Sequence, residues 1–381
     1  MIARVIDLGK LVGRKSCFLF GPRGTGKTFL IRHLPDDSLQ SIDLLRSEIL
    51  LRLRANPSLL EGMITLEPGR TVVIDEIQRE PLLLNEVHRL IEERGIRFLL
   101  TGSSARKLRR GHANMLGGRA GIAHLFPFTW KELSQAHRFD LQRILRFGGL
   151  PRVYLSEDPQ QELYDYLDSY LRDEIQSEAL VRSLPVFNDF LRLAAIHSGQ
   201  LINYSNLASD LGVSVNTVKE YYQILDDTLI GFRLEPWRHG KKTKTIATAK
   251  HYLFDMGVTQ TLQHLGDDLQ QGQGNAFEQF IINEVRAAVS YSRKRVDLAF
   301  WRTPKQDEVD LIIGNSTAVE IKSASKASER FLRGLERIGG ENPWTHRILV
   351  SNDPLDVRHP SGIQILHWKT FFAHLWEGRY F

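Results

Sequence analysis

The chain has 381 residues, 42% of them hydrophobic and 25% charged, which is the balance of a globular protein with room for two or three cores and excludes a disordered or fibrous one. Its net charge of +5 and pI near 9.2 suit a polyanionic partner without requiring one. One cysteine, Cys17, rules out an intrachain disulfide and a cysteine-based zinc site; no signal-peptide pattern and no run of roughly 18 apolar residues is present, so the expected location is cytoplasmic, with no membrane partner.

Three short apolar runs come first: 17–20 (CFLF), 71–74 (TVVI) and 97–100 (RFLL), separated by charge-bearing, helix-like stretches such as 82–94. Short strands alternating with helices predict an α/β domain whose parallel sheet is covered on both faces. Directly after the first run, and directly before the helix-like FLIRHL, residues 21–28 read GPRGTGKT and fit GxxxxGK[ST]. Gly21, Gly24 and Gly26 let the backbone, with Pro22, Arg23 and Thr25, fold so that its N–H groups cradle phosphate. Lys27 is expected to reach the β- and γ-phosphates of ATP and the Thr28 hydroxyl to ligate Mg2+. In TVVIDEIQ at 71–78 the strand ends in two acids, which sets both at the carboxyl edge of the sheet beside the loop. Asp75 is assigned to the Mg2+ shell and Glu76 to the attacking water. In RFLLTGSS at 97–104, Ser103 or Thr101 is a candidate γ-phosphate sensor, and the alternative is an ordinary turn.

These three elements in this order resemble the AAA+ superclass of P-loop ATPases, with the core at 1–135. The segment LGGRAGIAHLFPFTWKEL at 116–133 is similar to the glycine–arginine stretch, strand and P-x-[ST]-x-x-E-[LF] helix of a large prokaryotic ATPase family whose members carry an additional C-terminal domain. The resemblance implies that Arg119 is an arginine finger for its own or a neighbouring subunit, and that the chain forms a homo-oligomer, with a ring as one form.

From Glu132 to Leu193 the sequence reads as amphipathic helices, interrupted by FGGLP at 147–151 and by Pro185. Residues 136–185 are expected to be a helical lid or linker. Between Phe187 and Trp237 follow a helix, a short helix, a turn at Gly212, a helix capped by Ser214 and a strand. Leu207, Leu211, Val215, Val218, Tyr222 and Leu225 supply its inner face. The segment 186–250 resembles a winged helix-turn-helix. Asn216, Thr217, Lys219 and Gln223 then face outward, and RHGKKTKT at 238–245 forms a basic wing in which Lys241, Lys242 and Lys244 suit DNA phosphates. The other reading is an interdomain packing unit with a solvated basic loop.

The last stretch, 251–381, is expected to be α+β. Glu278 lies near the edge of the buried face of a helix running through Val289. Strand-like DEVDLII at 307–313 and AVEIKS at 318–323 flank GNS at 314–316, a hairpin with Asn315 at its tip. That register pairs residues whose numbers sum to 630 and sets Asp310 opposite Glu320, about 5 Å apart at Cβ. Lys322 points to the same side. Two acids so placed repel unless a cation such as Mg2+ sits between them. The ordered set Glu278, Asp310, Glu320, Lys322 resembles the PD-(D/E)xK nuclease superfamily, with its restriction-endonuclease-like fold, over roughly 275–350. The resemblance implies that Asp310 and Glu320 bind the metal, that Glu278 supports it and that Lys322 orients or activates water. Val309 stands where the superfamily's name has proline. Glu308 faces the same side as Asp310, as a further ligand or a surface charge. No HExxH or GxSxG pattern occurs.

The expected function is an ATP-hydrolysing, DNA-binding protein that remodels or translocates on DNA and cuts it with Mg2+, as in recombination, repair or defence. The alternative is an ATP-operated switch whose nuclease-like domain is inactive and serves binding or oligomerisation.

Overall fold

The computed structural model of the chain describes residues 2–33, 39–65, 70–104, 116–171, 183–240, 245–263 and 273–381. They form two compact units: Met1–Phe128 together with Ile224–Ile230, and Thr129–Gln223 together with Gly231–Phe381.

The first unit is built on five strands, β1 (Ser16–Phe20), β2 (Leu39–Asp43), β3 (Thr71–Asp75), β4 (Arg97–Gly102) and β5 (Ala120–His124). They are ordered β2-β3-β4-β1-β5, every pair parallel. Five described helices accompany them: α1 (Leu8–Arg14), α2 (Lys27–Arg32), α3 (Ser47–Ala55), α4 (Leu59–Met63) and α5 (Leu83–Arg94). β1 and β3 are buried along their whole length, as unbroken apolar runs must be when helices cover both faces of a sheet. Alternate residues Phe18, Phe20, Val72, Ile74, Phe98 and Leu100 form one core with Leu50 and Leu53 of α3 and Leu84, Val87 and Leu90 of α5. Because all strands are parallel, the turns after β1, β3 and β4 leave the sheet at one edge, where a ligand site of an open α/β sheet forms.

In the second unit, Thr129 opens the Trp130–Gln135 helix with a capping box: its hydroxyl accepts from Glu132 N at 3.2 Å, and the Glu132 carboxylate accepts from Thr129 N at 3.0 Å. This gives the threonine and glutamate of the PFTWKEL stretch a local mechanical purpose. A second acid joins them. Glu284, in the Gln273–Ser292 helix, accepts from Trp130 N at 2.9 Å and from Trp376 Nε1 at 2.7 Å. Burial pushes its pKa up to about 7 against the pull of those donors. The folded chain therefore keeps this proton up to about pH 7, whereas the unfolded chain releases it near the ordinary 4.5. The stabilisation is complete below 4.5 and is lost as pH rises to 7, by about 2–3 kcal/mol. Glu284→Gln removes that titration, so the variant should gain this much stability relative to the wild type between pH 4.5 and pH 8 in urea unfolding. A difference independent of pH would contradict the assignment.

Pro185, expected to mark a break between helices, sits in the first turn of Leu184–Ile196, where its missing N–H costs nothing and its fixed φ starts the helix. The helices Tyr204–Leu211 and Val215–Asp227 follow. Leu207, Val218, Tyr222 and Leu225 are buried as expected. Val215, placed on the same inner face by its spacing, is 36% exposed because it opens the helix. The chain then continues into an antiparallel hairpin of β6 (Gly231–Pro236) and β7 (Lys250–Leu253).

That hairpin belongs to a larger sheet. β6 pairs in parallel with β8 (Leu298–Arg302), so one mixed sheet runs β12-β13-β11-β10-β9-β8-β6-β7. Its other members are β9 (Glu308–Ile313), β10 (Thr317–Ile321), β11 (His346–Ser351), β12 (Val357–Arg358) and β13 (Gln364–His367). From the Gln273–Ser292 helix onward the order is helix, three antiparallel strands β8, β9 and β10, the Arg333–Ile338 helix, and β11 parallel to β10. Trp301, Val309, Ala318, Leu335, Ile338 and Leu349 form one core. Since side chains alternate across a strand, Asp310 projects from the face opposite Val309.

Candidate functional site

The loop at the end of β1 is shaped by backbone constraints. Gly24 and Gly26 have φ of 79° and 92°, a left-handed conformation that strains other residues. A Cβ on Gly21 would lie 2.4 Å from the Leu125 carbonyl oxygen. Pro22 and Thr25 are buried within the loop, and Arg23 is exposed. Lys27 is 5% exposed, and its ammonium donates to the Gly21 and Pro22 carbonyls at 2.7 and 3.1 Å. Thr28 Oγ1 donates to Asp75 Oδ2 at 2.8 Å, which joins the loop to the end of β3 across the intervening β4. A hydroxyl and a carboxylate in contact at the rim of a phosphate loop are the donor set a hard cation needs, so these residues fit Mg2+.

Thr101 on β4 organises the two acids of β3. Its hydroxyl donates to Asp75 Oδ1 and accepts from Glu76 N at 3.2 Å. Glu76 has φ of 62°, a conformation that costs a non-glycine residue about 1 kcal/mol or more. Its carboxylate accepts from Gln78 Nε2, which also donates to Ser103 Oγ at 3.1 Å. Thr101 and Ser103, singled out as candidate sensors, thus contact the two acids differently: Thr101 on β4 bonds Asp75 and Glu76 directly, and Ser103, just beyond β4, bonds the Gln78 amide that reaches Glu76. Gln78 was missed, because nothing in its spacing shows that it turns back beneath Glu76.

Arg119 stands elsewhere in this unit. It precedes Ala120, which pairs with Ser16 at the start of β1, whereas the phosphate loop follows Phe20 at the other end. Five residues of strand separate those edges by roughly 17 Å. Its guanidinium donates to Glu92 of α5. The fold does not bring Arg119 to the phosphate loop of its own chain.

In the second unit, the β9–β10 register pairs Thr317 with Ile313 and Val319 with Leu311, and its continuation sets Glu320 opposite Asp310. Asp310 Oδ2 accepts from Ile321 N at 2.8 Å and from Lys322 Nζ at 3.3 Å. Lys322 Nζ also lies 2.6 Å from Glu320 Oε1. Asp310 and Glu320 are 5% and 8% exposed. Burial, then the Asp310 charge, holds the Glu320 carboxyl well above the ordinary range. Burial works against the Lys322 ammonium, but Asp310 and Glu320 outweigh it and raise its pKa. Glu320 Oε2 is buried without a hydrogen-bond partner, a costly arrangement that a further cation would relieve.

Glu278 is engaged differently from the expected ligand set. Its Oε1 accepts from the Tyr252 hydroxyl at 2.6 Å and lies 3.6 Å from Lys250 Nζ. Lys250 Nζ also lies 2.6 Å from Glu308 Oε1, and Arg302 pairs with Glu308 at 3.2 Å. Among the described residues no group of three potential ligands stands ready around one point. Asp310 and Glu320, with the orphaned oxygen, fit a divalent cation, while Glu278 and Glu308 are turned to lysine. The sequence reading missed Lys250 and Tyr252, since both reach the site only through pairing of the β6–β7 hairpin with β8.

On the Val215–Asp227 helix, Asn216, Lys219 and Gln223 are exposed and Thr217 half-buried. Ser214 Oγ caps this helix by accepting from Thr217 N at 3.1 Å, and Lys219 Nζ lies 5.7 Å from the centre of the Tyr204 ring. Lys241, Lys242 and Lys244 lie outside the described residues. No helix among the described residues is long and apolar enough to cross a membrane.

The phosphate loop, the Thr28–Asp75 contact and the all-parallel sheet make the first unit a P-loop nucleotide-binding domain. Residues 13–134 match the family model of the AAA domain, so this unit is a P-loop ATPase domain of the AAA kind. Residues 138–269 and 273–371 match two further family models, each described as a domain of unknown function (DUF8612 and DUF4143). The chain is 28% identical over 364 residues to an uncharacterized protein of Mycobacterium tuberculosis, covering 89% of this chain and 79% of that one. It is 22% identical over 342 residues to an uncharacterized protein of Methanocaldococcus jannaschii, covering 82% and 75%. Among solved structures it is similar to the Aeropyrum pernix ORC1 protein in complex with DNA, at 14% identity and a TM-score of 0.29, covering 68% of this chain and 90% of that chain.

Proposed function

We propose that the chain is an ATP-hydrolysing, DNA-binding protein whose second unit cuts phosphodiester bonds. The observation that carries the cutting reading is the convergence of Asp310, Glu320 and Lys322 on one face of the β9–β10 hairpin, with Glu320 Oε2 buried and unpaired. The helix, three-strand, helix, strand order around it suits the nuclease-like fold. Strand cleavage by the wild type that is lost in Asp310→Asn tests it.

Roles follow from position. The loop Gly21–Thr28 holds the ATP phosphates, Lys27 offers its ammonium to them, and Thr28 with Asp75 holds Mg2+, which supplies neutralisation of phosphate charge. Glu76 orients the attacking water. In the second unit Asp310 and Glu320 hold Mg2+, which lowers the cost of charge on the attacked phosphate, and Lys322 orients the nucleophilic water. Arg119, set at the far edge of its own sheet, serves the ATP site of a neighbouring subunit in a homo-oligomer.

The winged-helix reading rests on the exposed row Asn216, Lys219 and Gln223. Lys219→Ala should weaken duplex binding by a similar factor on every sequence and lower the slope of log affinity against log salt by about one. Unaltered affinity and slope would mean that this face packs against protein instead. A second reading has one observation in its favour: Lys250 already pairs with Glu278 and Glu308. It takes the chain as an ATP-operated switch that binds DNA through an inactive nuclease-like unit.

A further inference from the structure

We infer that the second unit takes a single divalent cation, because Lys250 is built into the place where a second one would bridge Glu278 and Glu308. The inference rests on the proposed metal site at Asp310 and Glu320 and specifies its stoichiometry.

The acids fall into two halves. Asp310 and Glu320 share Lys322 and retain an unpaired, buried carboxylate oxygen. Glu278 and Glu308 share Lys250, at 3.6 and 2.6 Å, and their remaining contacts are the Tyr252 hydroxyl and the Arg302 guanidinium. An ammonium between two carboxylates does the work of a bridging cation, with one positive charge in place of two.

Lys250 is also fixed where it stands. Its backbone pairs with Leu234 on one side and Leu201 on the other. The side chain is 5% exposed, and the ammonium lies 5.4 Å from the centre of the Phe300 ring. A swinging surface lysine would yield to Mg2+, but one held at both backbone edges and packed on an aromatic ring does not move aside without cost. Charge decides the count. With all four acids ionised, as a bound cation requires of its ligands, four carboxylates face three cations, Lys250, Lys322 and Arg302, leaving one negative charge. One divalent ion turns that into a single positive charge for a DNA phosphate to meet. Two divalent ions would leave three buried positive charges, far more than one phosphate neutralises.

The test is a Mn2+ titration of the nucleotide-free full chain, read by the electron paramagnetic resonance of free Mn2+. The count assigned to the second unit is the wild-type value less that of Asp310→Asn/Glu278→Gln, in which each half of the acid cluster loses a ligand. One ion in the wild type and two in Lys250→Met are expected. The double variant Lys250→Met/Glu308→Gln, which keeps the charge balance, should fold and return to one. Two ions in the wild type would overturn the single-ion count, and one in a folded Lys250→Met would overturn the role given to Lys250, in both cases leaving the metal site intact. No ion lost with Asp310→Asn would overturn the metal site itself, and the inference with it. The wild-type count decides even where Lys250→Met does not fold.

Discussion

Replacing Glu76 by glutamine leaves ATP binding intact and lowers turnover by about 10²–10⁴-fold, the usual contribution of a positioned general base. The loop that grips the phosphates is untouched, since Lys27 rests on Gly21 and Pro22 and Thr28 on Asp75. Glutamine retains an oxygen that can accept from Gln78, and the left-handed backbone, anchored by Glu76 N on Thr101, is held as before. What disappears is the charge that polarises water. Fluorescent-nucleotide binding and phosphate release, measured on the same preparation, separate the two effects. Normal turnover would refute the role given to Glu76, and lost binding would mean that it supports the loop.

Glu320→Gln abolishes Mg2+-dependent strand cleavage, with a loss of three orders of magnitude or more expected for a removed metal ligand, and leaves ATP turnover unchanged because the Glu76 site lies in the other unit. The substitution keeps side-chain volume at a buried position and removes a charge whose ionisation is already costly there, so stability should hold or rise. Lys322→Met should also stop cleavage, for a different reason: it leaves both ligands in place but removes the ammonium that links Asp310 and Glu320. In that variant Mn2+ binding should persist or tighten, whereas in Glu320→Gln it should weaken. Cleavage unchanged in both variants would remove these residues from the reaction.

The legible parts of this chain are local in sequence. The phosphate loop is specified by glycines eight residues or fewer apart. The Asp310–Glu320 pairing follows from a hairpin whose turn is three residues long, so period-two alternation fixes the facing residues. What the sequence hid depends on distant pairing. Lys250 reaches the acids because Glu235 and Pro236 pair with Ala299 and Phe300, more than sixty residues away, and no local pattern signals a parallel pairing of that kind. β2 escaped notice for another reason. As an edge strand reading LQSID, it is only half-buried and lacks the apolar run that marked β1, β3 and β4. The place of Arg119 was likewise hidden, since a motif gives spacing along the chain but not the edge of the sheet on which a residue falls.

The account joins two phosphate chemistries in one chain, and the measurement that meets it most directly is a joint assay of the wild-type protein with ATP, Mg2+ and duplex, branched or single-stranded DNA, reading phosphate release and strand cleavage together. The account predicts both signals on at least one DNA form, with cleavage lost and phosphate release retained in Asp310→Asn. Phosphate release with no cleavage of any form, or cleavage that survives in Asp310→Asn, would contradict it.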